Sequence, residues 1–282
     1  MIIFKEVVKL RNYLASVTKN HRSIGFVPTM GALHQGHLSL LDAAKRQCDV
    51  CVVSIFVNPT QFNDPSDYQN YPITVAEDLN LLTRQGCDIL FLPTVKEMYP
   101  NGLDALPSFT FGYVETVLEG AHRPGHFKGV GMIVNRLLDI VEPHFLYLGQ
   151  KDYQQCMVIK LLIEQRQNIQ NPEVVICPTM REHSGLAMSS RNKRLSAEEQ
   201  NNATVIYQCL LAIKDGQKEG DFEDIKQKVA QKLVTHNMHP EYITIANAHT
   251  LELLSNYNPA VDMVALMAVK AGAVRLIDNM LL

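Results

Sequence analysis

Uninterrupted apolar runs rich in β-branched residues recur along the first two thirds of the chain and alternate with amphipathic helical patterns. The clearest run is VCVVSIFV, residues 50–57, and such runs are typical of parallel strands covered on both faces. Further strands are predicted at 23–28, 87–93, 145–149 and 174–178, with helices between them. The alternation predicts an α/β fold with a doubly wound parallel sheet, whose ligands bind at the carboxyl ends of the strands.

A second, smaller α/β domain is predicted after about residue 180. SAEEQ is a capping box, with Ser196 as the N-cap and Glu199 three residues later, and the helix that it opens is predicted to run to about Asp215. A charged helix and three strand-like segments follow, which we expect to form a small mixed sheet. The predicted domains are therefore 1–180 and 181–282.

Charge and composition exclude several classes of protein. Lys and Arg total 26 against 29 Asp and Glu, a formal charge of −3 that does not favour a nucleic-acid partner. No apolar run approaches the roughly 18 residues of a membrane span, and the first residues lack the order of a signal peptide.

Cys48 and Cys51 form a C-x-x-C spacing at the entry to a predicted strand, which favours buried free thiols over a redox or zinc pair. A reducing cytoplasm is the expected compartment.

The segment PTMGALHQGHLSL, residues 28–40, joins a predicted strand to a predicted helix. We expect the helix to start at His37, where free N–H groups and the helix dipole favour a phosphate. His34 and His37 lie on the same turn and can reach the same phosphate chain. Gly31 and Gly36 have P-loop spacing, but His37 and Leu38 replace the Lys and Ser/Thr of that motif. Solvent-exposed loop histidines and a zinc site, which would need a third ligand, are the less favoured interpretations.

The segment GLAMSSRN, residues 185–192, offers the hydroxyl groups of Ser189 and Ser190 and the guanidinium of Arg191 to phosphate oxygens. Such a triplet is weak alone, because surface loops often contain these residues. Paired with the H-x-x-H helix start, it is similar to the HIGH and KMSKS motifs of the nucleotidyltransferase superfamily. Members of that superfamily attack the α-phosphate of a nucleoside triphosphate and expel pyrophosphate.

Three further segments carry polar groups near predicted strand ends. In GQKDYQQ, residues 149–155, Lys151 is a point charge for phosphate, and Asp152 either caps the next helix or binds ribose. In FVNPTQF, residues 56–62, the side-chain amides of Asn58 and Gln61 suit a neutral, hydroxyl-bearing substrate, although turn chemistry explains Asn58 equally well. The glycine-rich turn EGAHRPGHFKGV, residues 119–130, adds Arg123 and His126.

Five segments stand in one order between residues 28 and 192: PTMGALHQGH, FVNPTQF, RPGHFKGV, GQKDYQQ and GLAMSSRN. Together they resemble the pantoate–β-alanine ligase (pantothenate synthetase) family. The resemblance implies a Rossmann-like N-terminal domain, a smaller C-terminal domain that closes over the site, and a cytoplasmic homodimer that uses ATP and Mg²⁺. It also implies that (R)-pantoate is joined to β-alanine through a pantoyl adenylate, giving pantothenate, AMP and pyrophosphate.

The same resemblance implies roles for individual residues. His37 would be the proton donor, Gln61 would contact both pantoate and β-alanine, and Gln155 would hold pantoate. Asn58, Arg123 and His126 are further expected substrate contacts. The expected nucleotide contacts are Met30, Gly31, His34, His37, Gly149, Gln150, Lys151, Asp152, Met180, Met188, Ser189, Ser190 and Arg191. No metal ligand is expected from the chain. The family usually has Asp where this chain has Ser184, which puts any loop-ordering role of that acid in doubt.

The implied reaction fits the residues that are present. Because the pantoate carboxylate is the nucleophile, no activated Ser or Cys is needed, only orientation and stabilisation of charge on the α-phosphate. The expected catalytic donors are His34, His37, Lys151, Ser189, Ser190 and Arg191. Rival hypotheses are another adenylyl- or cytidylyltransferase, such as a fragment of an aminoacyl-tRNA synthetase, and a non-catalytic nucleotide sensor. The acidic balance and the missing anticodon-binding appendage disfavour the synthetase, and the intact motifs disfavour the sensor.

Overall fold

A computed structural model describes residues 1–63, 65–102, 107–166, 171–218 and 221–282 of the chain. These residues divide into two compact units. The N-terminal unit comprises residues 1–149 and 154–177, and the C-terminal unit comprises residues 150–153 and 178–282. Within the described residues, none of the helices combines the length and the apolar character that crossing a bilayer requires.

The N-terminal unit contains a parallel sheet. Its strands are β1 (Ile2–Phe4), β2 (Ile24–Thr29), β3 (Val50–Ile55), β4 (Ile89–Phe91), β5 (Phe145–Gly149) and β6 (Glu173–Cys177). In the described residues their spatial order is β1-β4-β3-β2-β5-β6, and every pair is parallel. The chain proceeds from β2 outwards through β3 and β4 and then returns to the other side of β2 as β5, so the predicted doubly wound sheet is confirmed. Such a reversal of strand order marks the ligand-binding edge of an open α/β sheet.

Helices separate these strands along the chain. They are α1 (Val7–Lys19), α2 (Gln35–Gln47), α3 (Pro65–Gln69), α4 (Val75–Arg84), α5 (Val95–Met98), α6 (Glu119–His122), α7 (His126–Val141) and α8 (Tyr153–Gln165). Leu41 and Ala44 of α2 and Leu82 of α4 pack with Val53 and Leu90 of the sheet in one buried cluster. Phe26 and Leu146 point to the opposite face and are also buried, as expected of a sheet covered on both sides.

The C-terminal unit combines α9 (Ala197–Ala203), α10 (Val205–Gly216) and α11 (Phe222–Thr235) with β7 (Met238–Asn247), β8 (Met263–Ala271) and β9 (Val274–Leu281). The predicted capping box of Ser196 and Glu199 is present. The helix that follows it is interrupted at Thr204, whose hydroxyl and N–H both donate to the Asn201 carbonyl. The prediction of a mixed sheet was wrong, because β7-β8-β9 is antiparallel in both of its pairings. Gly272, with a φ of 54°, closes the β8–β9 turn, and a turn that short joins only antiparallel strands.

Candidate active site

A strained turn follows β2 and carries the first group of predicted site residues. Gly31 has a φ of 85° and Ala32 a φ of 49°, so two successive residues adopt the left-handed region. Asp78 of α4, which is 1% exposed, accepts hydrogen bonds from the Ala32 N–H at 2.9 Å and the Leu33 N–H at 2.8 Å. This carboxylate stabilises the turn. Asp78 was not predicted from the sequence, because nothing in its spacing links it to residues 32 and 33.

The two histidines of this turn form the cap of α2. The predicted helix start at His37 was wrong: α2 begins at Gln35, with His34 as its N-cap and His37 at the third helical position. The His34 Nδ1 accepts from the Gly36 N–H at 3.1 Å, and the His37 Nδ1 accepts from the His34 N–H at 3.3 Å. Because both Nδ1 atoms are acceptors, each neutral ring carries its hydrogen on Nε2 and can donate there. The ring centroids lie 4.1 Å apart, so the two rings form one donor cluster at a helix N-terminus.

The amides predicted after β3 are buried and connected to each other. Asn58 is 1% exposed, and its Nδ2 donates to the Gln61 Oε1 at 3.2 Å and to the Gly129 carbonyl at 3.3 Å. Its Oδ1 accepts from the Tyr99 hydroxyl at 2.6 Å. The Gln61 Nε2 in turn donates to the Met30 Sδ at 3.1 Å. Asn58 therefore caps the short 3₁₀ turn at residues 59–61 and sets the direction in which the Gln61 amide points.

Arg123 and His126 form a chain of hydrogen bonds that ends at the Gln61 carbonyl. His126 is buried, and its Nδ1 bonds to the Gln61 carbonyl at 2.8 Å. A carbonyl can only accept, so that Nδ1 is the donor, and the His126 Nε2 is left to accept from the Arg123 guanidinium at 3.2 Å. These contacts place both side chains as supports for the Gln61 backbone.

The segment after β5 is divided between the two units: residues 150–153 belong to the C-terminal unit, and residues 154–177 belong to the N-terminal unit. Gly149 ends the strand, and residues 150–152 form a 3₁₀ turn in which the Lys151 Nζ pairs with the Asp152 carboxylate at 3.0 Å. Gln155 is half-buried in the first turn of α8. Its neighbour Gln154, which was not predicted as a site residue, is buried and donates to the carbonyls of residues 114 and 117.

The loop from residue 178 to 194 carries the second segment that was predicted to bind phosphate. Met180 is exposed, and its carbonyl accepts from the Met188 N–H at 2.9 Å. The Ser189 Oγ caps the 3₁₀ turn at residues 190–194 by accepting from the Arg191 N–H at 3.2 Å, and Ser190 is buried at 8% exposure. Ser189 thus shapes the turn.

Ser184, the residue that departs from the family pattern, is exposed. Gly185 beside it has a φ of 90°, and a Cβ there would lie 2.4 Å from the Tyr207 ring. Its carbonyl accepts from the Arg181 guanidinium at 3.1 Å. The loop is therefore held by glycine geometry and by Arg181, without a carboxylate at position 184.

Two of the predicted motifs meet within the C-terminal unit. Lys151 from the first motif lines a small cavity of about 20 Å³ together with Ser189 and Arg191 from the second, and Arg275 and Asp278 of β9 also line it. Lysine, arginine and hydroxyl groups around one cavity are donors suited to phosphate oxygens. Within the described residues, no group of three or more His, Cys, Asp or Glu side chains is placed to hold a metal ion.

Comparison with protein families and with curated proteins gives a consistent result. The profile of the family described as Pantoate-beta-alanine ligase matches residues 2–281. A pantothenate synthetase from Cytophaga hutchinsonii is 43% identical over 286 residues, which cover 100% of this chain and 99% of the relative. A pantothenate synthetase from Vibrio parahaemolyticus is 41% identical, over 99% of this chain and 92% of the relative.

Solved structures agree with that result. The pantothenate synthetase of Thermus thermophilus superimposes with a TM-score of 0.90 at 38% identity, covering 99% of both chains. The pantoate-beta-alanine ligase of Francisella tularensis, described as complexed with beta-gamma ATP and beta-alanine, gives a TM-score of 0.84 at 39% identity. That match covers 100% of this chain and 97% of the other.

Proposed function

The chain belongs to the pantoate–β-alanine ligase family, and we propose that it joins its substrates through a pantoyl adenylate. The overall activity is the ATP-dependent condensation of pantoate with β-alanine. In the proposed first step a pantoate carboxylate oxygen bonds to the α-phosphorus of ATP, and pyrophosphate leaves with the electrons of the broken P–O bond. In the second step the β-alanine amine bonds to the acyl carbon, AMP leaves, and the nitrogen loses a proton.

The observation that carries this proposal is the set of phosphate donors in each unit. In the N-terminal unit, the Nε2–H groups of His34 and His37 stand at the positive end of α2. In the C-terminal unit, Lys151, Ser189 and Arg191 line one cavity. Donors that are already oriented stabilise charge on a phosphate without reorganising during the reaction.

The direction in which the Gln61 amide points supports the proposed contacts with pantoate. Asn58 occupies the Gln61 Oε1, so the Gln61 Nε2 is the end that can turn from the Met30 sulfur to a substrate oxygen. Gln155 would supply the second amide to pantoate. Asn58, Arg123 and His126 would act on substrate through Gln61, since their own polar atoms bind protein groups.

Mg²⁺ fits this site as an ion carried by ATP. The donors around the cavity are ammonium, guanidinium and hydroxyl groups, which bind phosphate oxygens rather than a cation. Asp278, whose carboxylate also lines the cavity, has both oxygens paired with the Arg181 guanidinium. Mg²⁺ is commonly bound through substrate phosphates with few protein carboxylates. When bound, it would neutralise charge on the phosphates, while the residues of the chain orient them.

The adenylate is tested by isotope exchange. We expect labelled pyrophosphate to enter ATP when pantoate is present and β-alanine is absent, because the first step does not need the amine. Gln155→Ala should weaken this exchange, with a loss of roughly 0.5 to 1.5 kcal/mol for a neutral hydrogen bond. No exchange, together with no bound pantoyl adenylate after rapid quench, would replace the proposal with a concerted reaction of three substrates.

Three further properties belong to the proposal. A cytoplasmic location is supported by six free thiols, which suit a reducing compartment. Light scattering should give the homodimer a mass of about twice the chain mass of 31.7 kDa.

Closure of residues 181–282 over bound ATP is tested by proteolysis: cutting between residues 184 and 191 should slow with ATP and Mg²⁺. Equal cutting rates would count against closure.

A further inference from the structure

Two adjacent polar residues are buried in β9, an element in which no motif was found. Asp278 is 4% exposed and Asn279 is 2% exposed. Polar side chains this deeply buried need partners, because an unsatisfied one costs free energy. Their partners are the two segments that carry the phosphate donors of the C-terminal unit.

Asn279 holds the turn that carries Lys151. Its Nδ2 donates to the Gln150 carbonyl and to the Lys151 carbonyl, both at 2.9 Å. Its Oδ1 accepts from the Gln150 Nε2 at 3.3 Å. One amide thus satisfies two backbone carbonyls and one side chain of a three-residue turn. Only a group with two N–H donors and a carbonyl on the same carbon makes this set of bonds.

Asp278 holds the loop that carries Ser189 and Arg191. Its carboxylate pairs with the Arg181 guanidinium at two points, 2.6 Å and 3.0 Å. The Arg181 guanidinium also donates to the Gly185 carbonyl at 3.1 Å, and its Cζ lies 4.3 Å from the centroid of the Tyr207 ring. Burial raises the pKa of Asp278, and the Arg181 hydrogen bonds and charge oppose that rise.

We propose that the Asp278–Asn279 pair is a positioning element for ATP, which holds Lys151 beside Ser189 and Arg191 so that their donors converge on one phosphate chain. The proposal rests on the proposed phosphate site. Asn279 controls the side of the cavity that carries Lys151, and Asp278 controls the side that carries the serine and arginine. The pair touches no substrate in this role. It lowers the cost of binding ATP, because the two segments are ordered before the nucleotide arrives.

The test is Asn279→Asp, a change that preserves shape and replaces the NH₂ by an oxygen. That oxygen would face the carbonyls of Gln150 and Lys151 and add a second carboxylate next to Asp278, so the turn should be released. We expect the KM for ATP to rise about tenfold or more, as for the loss of two hydrogen bonds. The KM values for pantoate and β-alanine should stay within about twofold of the wild-type values, since no direct contact is removed.

Asn247→Asp is the matched control. Asn247 ends β7 in the same sheet, and its Oδ1 accepts from the N–H groups of His249 and Thr250. An aspartate preserves that acceptor, so the ATP KM should not change. Asn279→Ala is the second variant, because it removes the amide without adding charge. If both Asn279 variants fail to fold, Asn279 is a folding residue and the positioning role is overturned.

A double-mutant cycle with Lys151→Ala separates the positioning role of Asn279 from the proposed phosphate site. Lys151→Ala alone should raise the ATP KM, and if it does not, the proposed phosphate site fails. If it does, but Asn279→Asp leaves the ATP KM unchanged, the positioning role alone fails. In the Lys151→Ala background, Asn279→Asp should add much less than in the wild type. A full additional effect would show that Asn279 does not act through Lys151.

Discussion

Single residues of the proposed site in the N-terminal unit also stabilise the fold. The Nδ1 atoms of His34 and His37 accept N–H groups at the start of α2, so each ring has Nε2–H to offer to the nucleotide of the proposed site. Gln61 is oriented in the same manner, since its Oε1 is occupied by Asn58. In each case a hydrogen bond within the protein determines whether the side chain would offer a donor or an acceptor to the proposed substrate.

His37→Ala removes both functions of that ring. Loss of one oriented donor typically costs about 2.7 to 4 kcal/mol, so turnover should fall about 100- to 1000-fold. His37→Gln is the matched variant, because glutamine at this position of a capping box accepts the same N–H. We expect its unfolding temperature to match the wild type while turnover stays low. Near-normal turnover in either variant would remove His37 from the mechanism.

Tyr99→Phe tests how the Gln61 amide is oriented. Burial raises the pKa of the Tyr99 hydroxyl to about 12, so it keeps its proton and donates to Asn58. Losing that bond should raise the KM for pantoate about two- to twelvefold, the equivalent of roughly 0.5 to 1.5 kcal/mol. The control is Tyr147→Phe in β5, whose hydroxyl donates to Gln47. Equal effects of the two changes on the pantoate KM would contradict the orienting role of Tyr99.

At the scale of elements, α4 determines the shape of the turn that follows β2. Asp78 accepts two successive backbone N–H groups there, at Ala32 and Leu33. A carboxylate with both oxygens engaged holds the left-handed residues of the turn in place. The His34 cap follows directly, so α4 acts on the donor cluster from outside the motif.

Asp78→Asn is expected to loosen this turn. Its NH₂ would face one of the two N–H groups, which costs about 1 to 3 kcal/mol for a buried donor left without an acceptor. We expect kcat to fall and the KM for pantoate to change little. The control is Asp49→Asn at the other end of the sheet, where the exposed carboxylate accepts from Ser23. If Asp78→Asn and Asp49→Asn lower kcat to the same extent, α4 does not position the histidines.

At the scale of the whole molecule, each unit has its own buried core, and thiols lie in both. Cys51 is buried in β3 and Cys87 just before β4 of the N-terminal unit, and Cys209 is buried in α10 of the C-terminal unit. Burial raises the pKa of Cys51 and of Cys87 to about 12, and it also raises the pKa of Cys209. These thiols therefore report on the unfolding of each unit.

Iodoacetamide labelling at pH 8 distinguishes these buried thiols from thiols with the ordinary pKa. At a pKa of about 12 the thiolate fraction is about 10⁻⁴, against about 0.1 for a thiol at the ordinary value of 9.0. We expect Cys51, Cys87 and Cys209 to stay unlabelled in the folded protein, to react in denaturant, and to react faster as the pH rises. Labelling of any of the three in the folded protein, measured by mass spectrometry, would contradict their burial.

The sequence by itself determined the parallel strands β2 to β6, the Ser196 capping box and the motifs at 28–37, 149–155 and 185–192, whereas the short edge strand β1 was not predicted. These features depend on hydrophobic period and on turn chemistry within a few residues, which a linear pattern contains. The start of α2 was misplaced, because the capping role of His34 depends on ring geometry rather than on residue spacing.

Only the tertiary structure showed which distant side chains hold the loops that carry the proposed phosphate donors. Asp78 lies 46 residues from Ala32, and Asn279 lies 128 residues from Lys151. In both cases a buried polar side chain satisfies backbone groups of a distant loop, so the pairing depends on how strands and helices pack. Neighbouring residues place no constraint on such contacts, whereas burial requires every polar group to find a partner.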